Sequence, residues 1–344
     1  MIHRSLCSSA FRMGTFGLAL VACFTADHAS AYCRMTTGGG AQVGNAACVE
    51  KGEPLVWKNP CLSYTVDSRG SRWFKNADGT PDIATLESLV DQSFAAWEDV
   101  DCGGAPPNLI FKPLQASTCK RAEFNTTGNV NTVAFLDPWK DPCAGPDEPG
   151  YEPLAFAVTV VWHNTTTGEI LDADMMINDQ LSSRSNAGGP YADCPDTGCP
   201  AGSPGVLGPA DLRSIITHEA GHFIGIGHSD VQDATMFASN ARDSVAKRTL
   251  AQDDMNAVCA IYPPGNLDAS CNATPMGGLQ LNCETNDLGA PIACDDPAPA
   301  PSSGGGCSAS TGRTPADAPW PTLLVALAGL IVVRRRSVRH GARS

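Results

Sequence analysis

Three histidines at short spacing form the strongest chemical signal in this sequence. His218 and His222 are four residues apart, so on a helix they lie on one face, one turn apart. Two imidazoles placed in this way can bind one zinc ion, and Glu219 beside them can act as a general base on a water. Two glycines precede His228 and can break the helix, so that His228 supplies a third nitrogen. Three protein ligands leave one position open, as in a catalytic zinc site.

A methionine and a serine extend this pattern beyond the third histidine. Ser229 follows it directly, and Met236 stands eight residues beyond it. With these residues the run resembles the metzincin zinc endopeptidases, most closely the matrixin branch. The resemblance covers roughly residues 54–263 and implies a methionine turn at Met236 below the metal. It also implies zinc as cofactor and the hydrolysis of peptide bonds.

The same resemblance bears on how many zinc ions the chain binds. Matrixins usually carry a second, structural zinc bound by three histidines and an aspartate. Here Phe156 and Asp174 stand at two of those histidine positions. Of the seven histidines, only His163 lies outside both the motif and the two terminal segments. We therefore expect one zinc per chain.

Three aspartates form a second candidate metal site. Asp172, Asp174 and Asp179 offer the hard oxygen ligands that calcium prefers, although their spacing is not that of an EF-hand loop. The alternation of Asp172, Asp174 and Met176 fits one face of a strand equally well. Both interpretations stay open at this point.

The resemblance also predicts where a substrate and the last helix lie. An extended substrate would pair antiparallel with an edge strand through Ala155, Phe156 and Ala157, by strand addition. Asp253 and Asp254 resemble the start of the last matrixin helix. A solvated first turn, favourable to the helix dipole, explains these two acids equally well.

The surrounding elements follow from hydrophobic periodicity. Apolar positions predict an amphipathic helix over 83–100, a second helix from Pro209 and a last one over 250–262. Strands are predicted at 55–57, 62–66, 109–111, 132–136, 154–162 and 170–177. This order is typical of an α+β or α/β fold. With the metzincin resemblance we expect α+β: a mixed twisted sheet with an antiparallel edge strand, an active-site helix and a C-terminal helix.

The two ends of the chain predict export. Residues 1–31 have the pattern of a signal peptide cleaved after Ala31, with a lipoprotein-type site at Cys23 as the alternative. Residues 307–344 resemble a myxobacterial C-terminal sorting tail with a short transmembrane helix and an arginine cluster, which implies processing or sorting machinery as a partner. A plain membrane anchor is the alternative. Between the ends we predict a cysteine-containing segment (32–53), the protease domain (54–263) and a cysteine-containing stalk or linker (264–306), or else a small binding module there.

Cysteine usage agrees with export. Outside Cys7, Cys23 and Cys307 there are twelve cysteines, and an even set in an exported chain predicts disulfides. The connectivity stays open. Cys33 and Cys48 precede the protease domain, where a zinc-ligating latency cysteine is the alternative to pairing.

These observations predict a secreted or cell-surface zinc endopeptidase, with Glu219 as general base, acting as a monomer on extracellular proteins or peptides. The net charge of −13 argues against nucleic-acid binding. The alternative is a catalytically silent surface adhesin or binding module on a metzincin scaffold, because a fold does not guarantee activity.

Overall fold

The computed structural model describes residues 32–38, 48, 51–145, 147–181, 189–201, 208–239 and 244–284. The predicted signal peptide and C-terminal tail lie outside these residues, as does 285–306 of the predicted stalk. Within the described ranges, no helix has both the length and the apolar character needed to cross a bilayer.

A five-stranded mixed sheet forms the centre of the fold. Its strands are β1 (Cys61–Val66), β2 (Ile110–Pro113), β3 (Thr132–Leu136), β4 (Ala157–His163) and β5 (Ile170–Asn178), in the spatial order β2-β1-β3-β5-β4. The strands β2, β1, β3 and β5 pair in parallel. Strand β4 lies at the edge and runs antiparallel to β5. The predicted α+β fold, with a mixed sheet and an antiparallel edge strand, is therefore confirmed.

Among the described residues, three α-helices accompany the sheet: α1 (Ile83–Glu98), α2 (Leu212–Phe223) and α3 (Gln252–Ile261). Two short paired strands, β6 (Tyr191–Ala192) and β7 (Ala210–Asp211), precede α2. The expectation that a helix begins at Pro209 is wrong, since Asp211 caps α2. One carboxylate oxygen of Asp211 accepts from the Ser214 backbone N–H at 2.9 Å and from its hydroxyl at 2.7 Å.

Aromatic packing fixes α1 against β1 and α2. Phe94 stacks on Tyr64 of β1, with ring centroids 4.3 Å apart, and meets Phe223 of α2 edge-on at 5.1 Å. The Trp97 indole donates a hydrogen bond to the Thr217 carbonyl at 2.8 Å. Because a buried indole N–H needs such a partner, this bond also fixes the rotation of α2 about its axis.

Disulfides connect distant parts of the chain. Cys33–Cys48, Cys61–Cys271, Cys102–Cys259, Cys119–Cys283 and Cys194–Cys199 are bonded, and Cys143 is also disulfide-bonded. Two of these bonds attach the segment after α3 to the domain, one at Cys61 of β1 and one at Cys119 between β2 and β3. The Ser63 hydroxyl of β1 also donates to the Ala273 carbonyl of that segment at 2.7 Å. Residues 264–284, predicted as part of a stalk, therefore lie against the domain.

Candidate metal centre

Helix α2 carries the first two predicted zinc ligands and then ends abruptly. Gly225, just beyond it, has φ +90°, a conformation that side-chain-bearing residues rarely adopt. A Cβ at this glycine would lie 2.7 Å from the Leu55 carbonyl oxygen. The chain therefore turns sharply here, and the turn carries His228 back to His218 and His222.

The three histidines converge as the sequence predicts. One ligand atom from each of His218, His222 and His228 lies within 4.8 Å of the others, close enough for one ion to contact all three. Nδ1 of His218 is hydrogen-bonded to the Thr235 carbonyl at 2.6 Å. Nδ1 of His222 is similarly bonded to the Ile226 carbonyl at 2.8 Å. These bonds place the proton on Nδ1 and leave Nε2 as the ligand atom.

The unpaired Nε2 atoms of His218 and His222 and the neutral state of their rings both fit a metal site. Within the described part of the chain, Nε2 of His218 and of His222 is buried without a hydrogen-bond partner. Burial lowers the pKa of His218 well below its usual value and that of His222 to about 3. The two imidazoles are therefore neutral at physiological pH, which is the form that binds zinc.

Glu219 lies fully buried beside the histidines and is held by a residue that the sequence did not single out. The Thr159 hydroxyl of β4 donates to Glu219 Oε2 at 2.7 Å. Glu219 Oε1 has no partner among the described residues. Burial raises the pKa of Glu219 to about 8, and the bond from Thr159 works against this rise. A divalent cation at the histidines would also favour the carboxylate form.

Met236 lies buried directly beneath α2. A Cβ added at Gly221 would come within 2.2 Å of the Met236 sulfur, so only glycine leaves room for the sulfur there. The buried Asp254 carboxylate accepts hydrogen bonds from the backbone N–H groups of Thr235, Met236 and Ala251 at 2.7–3.0 Å. Asp254 therefore organises the turn that supports His218, and the description of it as solvated is wrong.

A buried lysine is a further residue that the sequence did not single out. The Lys247 ammonium group donates a hydrogen bond to the Phe237 carbonyl, one residue after Met236. Burial lowers the pKa of Lys247 to about 8, while the negative charges of Asp254 and Glu219 raise it. Lys247 thus adds a positive charge that interacts with the carboxylates of Asp254 and Glu219.

The three aspartates proposed for calcium do not converge. Asp179 accepts from the Ser71 hydroxyl at 2.6 Å and the Arg72 backbone at 2.8 Å. Asp172 and Asp174 lie together in β5, where Asp174 accepts from two backbone N–H groups. Within the described ranges, the other metal-like cluster is Cys194, Cys199 and Asp211. Its two cysteines are bonded to each other. The strand-face interpretation of Asp172 and Asp174 therefore fits the structure, and the three aspartates do not form one metal-binding group among the described residues.

The predicted substrate-contact residues lie at the start of the edge strand. Ala157 begins β4, whereas Ala155 and Phe156 precede it. The Ala155 carbonyl accepts from the Asn178 side chain and the Phe156 carbonyl from the Asn178 backbone N–H, both at 2.8 Å. Two of the three carbonyls are therefore already paired, and the rest of β4 offers the edge.

Comparison with known families agrees with the fold and the histidine cluster. The sequence model of the matrixin family matches residues 160–263, which contain the three histidines, Glu219 and Met236. The family implies zinc as the catalytic metal. The mixed sheet, the histidine cluster and this match together support a matrixin-like metzincin domain.

Individual relatives match over a shorter stretch. The chain is 43% identical over 54 residues to metalloendoproteinase 1-MMP of Arabidopsis thaliana. It is 42% identical over 52 residues to metalloendoproteinase 5-MMP of the same plant. These stretches span 16% and 15% of this chain, and only 15% and 14% of the two relatives. The similarity is therefore local.

Proposed function

We propose that this protein is a zinc-dependent endopeptidase that is exported and cleaves extracellular proteins or peptides. The observation that carries the proposal is the convergence of His218, His222 and His228 within 4.8 Å, with Glu219 adjacent. The matrixin match and the names of the plant relatives support the same reaction class. The disulfides fit an oxidising, extracellular environment.

The three histidines would hold one zinc through nitrogen atoms. When bound, zinc polarises the scissile carbonyl and activates the attacking water. Each of His218 and His222 is oriented by a backbone carbonyl on its other nitrogen, an arrangement that raises ligand basicity. We expect one zinc per chain, because the other cluster of ligand-type residues in the described part of the chain is closed by the Cys194–Cys199 disulfide.

Glu219 would move the protons of the reaction. Its Oε2 is held by Thr159, which leaves Oε1 to take the proton from the attacking water and to deliver it to the leaving amine. The full burial of the carboxylate excludes bulk water, so that electrostatic interactions with the reacting groups are strong. Because the histidines hold the metal and Glu219 moves the protons, we expect Glu219 to be needed for turnover and not for metal binding.

Strand β4 would bind the substrate. It is an edge strand, and a peptide can add to such an edge through backbone hydrogen bonds. Thr159 lies on this strand and its hydroxyl contacts Glu219. A peptide paired with β4 would therefore run past the general base. This arrangement favours cleavage within an extended polypeptide.

Casein hydrolysis tests the function directly. The purified chain is expected to cleave casein, to lose activity when a chelator removes zinc, and to recover it when zinc is added back. A chain that carries one equivalent of zinc and cleaves neither casein nor gelatin would contradict the proposal. That outcome would favour a binding module on the same scaffold.

A further inference from the structure

The segment at the start of the described chain pairs with the backbone that leads to His228. The Gly227 N–H donates to the Cys33 carbonyl at 2.7 Å, and the Met35 N–H donates to the Gly225 carbonyl at 3.0 Å. Arg34 lies opposite Ile226 in this antiparallel pair. Residues 33–35 therefore form backbone hydrogen bonds along one edge of the segment 225–227, which we call the ribbon.

The other edge of the same ribbon orients a zinc ligand. The Ile226 carbonyl accepts from His222 Nδ1 at 2.8 Å, and the Ile226 N–H donates to the Gly221 carbonyl at 2.9 Å. The ribbon also continues directly into His228. Two of the three ligands thus depend on where 225–227 lies, one through a hydrogen bond and one through the chain.

The segment 33–35 is itself firmly fixed. The Leu55 N–H donates to the Met35 carbonyl at 2.8 Å, and Cys33 is bonded to Cys48. Both Cys33 and Met35 are buried. A Cβ at Gly227 would lie 3.2 Å from the Cys33 carbonyl oxygen, so the two backbones are in close contact. Movement of Cys33 would therefore be transmitted to the ribbon.

We propose that residues 33–35, held by the Cys33–Cys48 disulfide, are a positioning element of the metal centre that slows the loss of zinc. The proposal rests on the zinc function above. It assigns Cys33 a role opposite to a latency device: its thiol is engaged by Cys48, and its carbonyl supports the ligands. Mutation of a group that orients a ligating histidine, without itself binding the metal, typically lowers metal affinity by 10–100-fold.

Zinc release from the purified, zinc-loaded full chain tests this role. We compare wild type with Cys33→Ser/Cys48→Ser and with Cys119→Ser/Cys283→Ser, which removes a disulfide from the segment after α3. A chromophoric chelator in excess records the release rate, and thermal melting records stability. We expect release about 10-fold faster, or more, in the first variant. The control should lose stability without faster release.

A milder variant covers the case in which the double serine variant does not fold. Gly227→Ala crowds Cys33 and should also speed zinc release. In a double-mutant cycle with Cys33→Ser/Cys48→Ser the two effects should be less than additive, because both act through the same contact. Where the serine variant does not fold, the comparison is Gly227→Ala with Gly145→Ala, whose added Cβ would make only an ordinary contact at 3.8 Å.

Three results would overturn the proposal. Wild-type release rates in both Cys33→Ser/Cys48→Ser and Gly227→Ala would show that the segment does not act on the metal. Equal acceleration by the Cys119→Ser/Cys283→Ser control would show an effect of general stability alone. A wild-type chain that binds no zinc would refute the zinc function together with this inference, whereas the first two results leave the zinc function intact.

Discussion

The hydroxyl of Thr159 donates a hydrogen bond to Glu219 Oε2 at 2.7 Å, and it also lies 3.2 Å from the Glu219 backbone carbonyl. One side chain on the edge strand thus fixes the carboxylate that lies between the first two histidines. Because both groups are buried, this contact links the surface where a substrate would bind to the group that would move protons.

Replacing Thr159 should impair turnover and spare metal binding. Thr159→Val keeps the shape and removes the donor, and a hydrogen bond to a charged group contributes about 1.5–3 kcal/mol. We expect kcat to fall about 10-fold or more, with zinc content unchanged. The Thr159 hydrogen bond holds the pKa of Glu219 down, so its removal should raise that pKa. The acid limb of the pH–rate profile should therefore move to higher pH.

Thr159→Ser is the matched control for that experiment. It keeps the hydroxyl and should retain most of the activity. Wild-type kcat in Thr159→Val, or equal losses in the valine and serine variants, would show that the hydroxyl does not position Glu219.

The buried pair Asp172 and Asp174 should make stability fall as pH rises. Burial raises the pKa of Asp172 to about 7 and that of Asp174 well above its usual value, where the charge of Asp172 adds to the rise. The folded state therefore keeps protons that the unfolded chain releases near pH 4. The stability contribution is fully present below pH 4 and is lost as pH rises through about 7. The slope approaches about 1.4 kcal/mol per pH unit for each proton.

Asp172→Asn is expected to flatten this dependence. One oxygen of Asp172 accepts from the Asn129 side chain at 2.6 Å, a bond that the amide oxygen can keep. The new NH₂ group can then donate to Asp174. Urea unfolding between pH 5 and 8 measures the effect, and an unchanged slope in Asp172→Asn would contradict the protonated pair.

Two neighbouring acids on α3 should differ strongly in their contribution to stability. Asp254 accepts from three backbone N–H groups, so Asp254→Asn places an amide donor against them and should cost about 1–3 kcal/mol. Asp253 accepts from the Ser229 hydroxyl at 2.6 Å and is partly exposed. Asp253→Asn is therefore the milder, matched control, and equal losses of unfolding free energy would refute the role of Asp254 in the methionine turn.

Local patterns predicted the histidine cluster well, because a four-residue spacing on a helix is enough to bring His218 and His222 together. Strand β3 was likewise predicted with its exact bounds from its apolar run. The local pattern left α+β and α/β both open, and only the family resemblance favoured α+β. Thr159 and Glu219, by contrast, are separated by 60 residues. A single hydroxyl in a strand has many common uses, so no sequence signal marks this pair.

The start of the edge strand was misplaced for a related reason. The apolar run predicts a strand from 154, yet β4 begins at Ala157, whose partner Ile177 is the next-to-last residue of β5. Before it, the Ala155 carbonyl accepts a hydrogen bond from the Asn178 side chain instead of from a strand. The pairing of 33–35 with 225–227 is made by backbone atoms, whose hydrogen bonds do not depend on side-chain identity. Such contacts become visible only when the chain is folded.

The most direct test of the central claim is to measure zinc content and casein hydrolysis side by side in wild type and Glu219→Gln. The substitution keeps the size of the side chain and removes the general base. We predict one equivalent of zinc in both proteins and a loss of nearly all hydrolysis in Glu219→Gln. Hydrolysis at the wild-type rate by the glutamine variant, or wild-type protein that holds no zinc after reconstitution, would contradict the account.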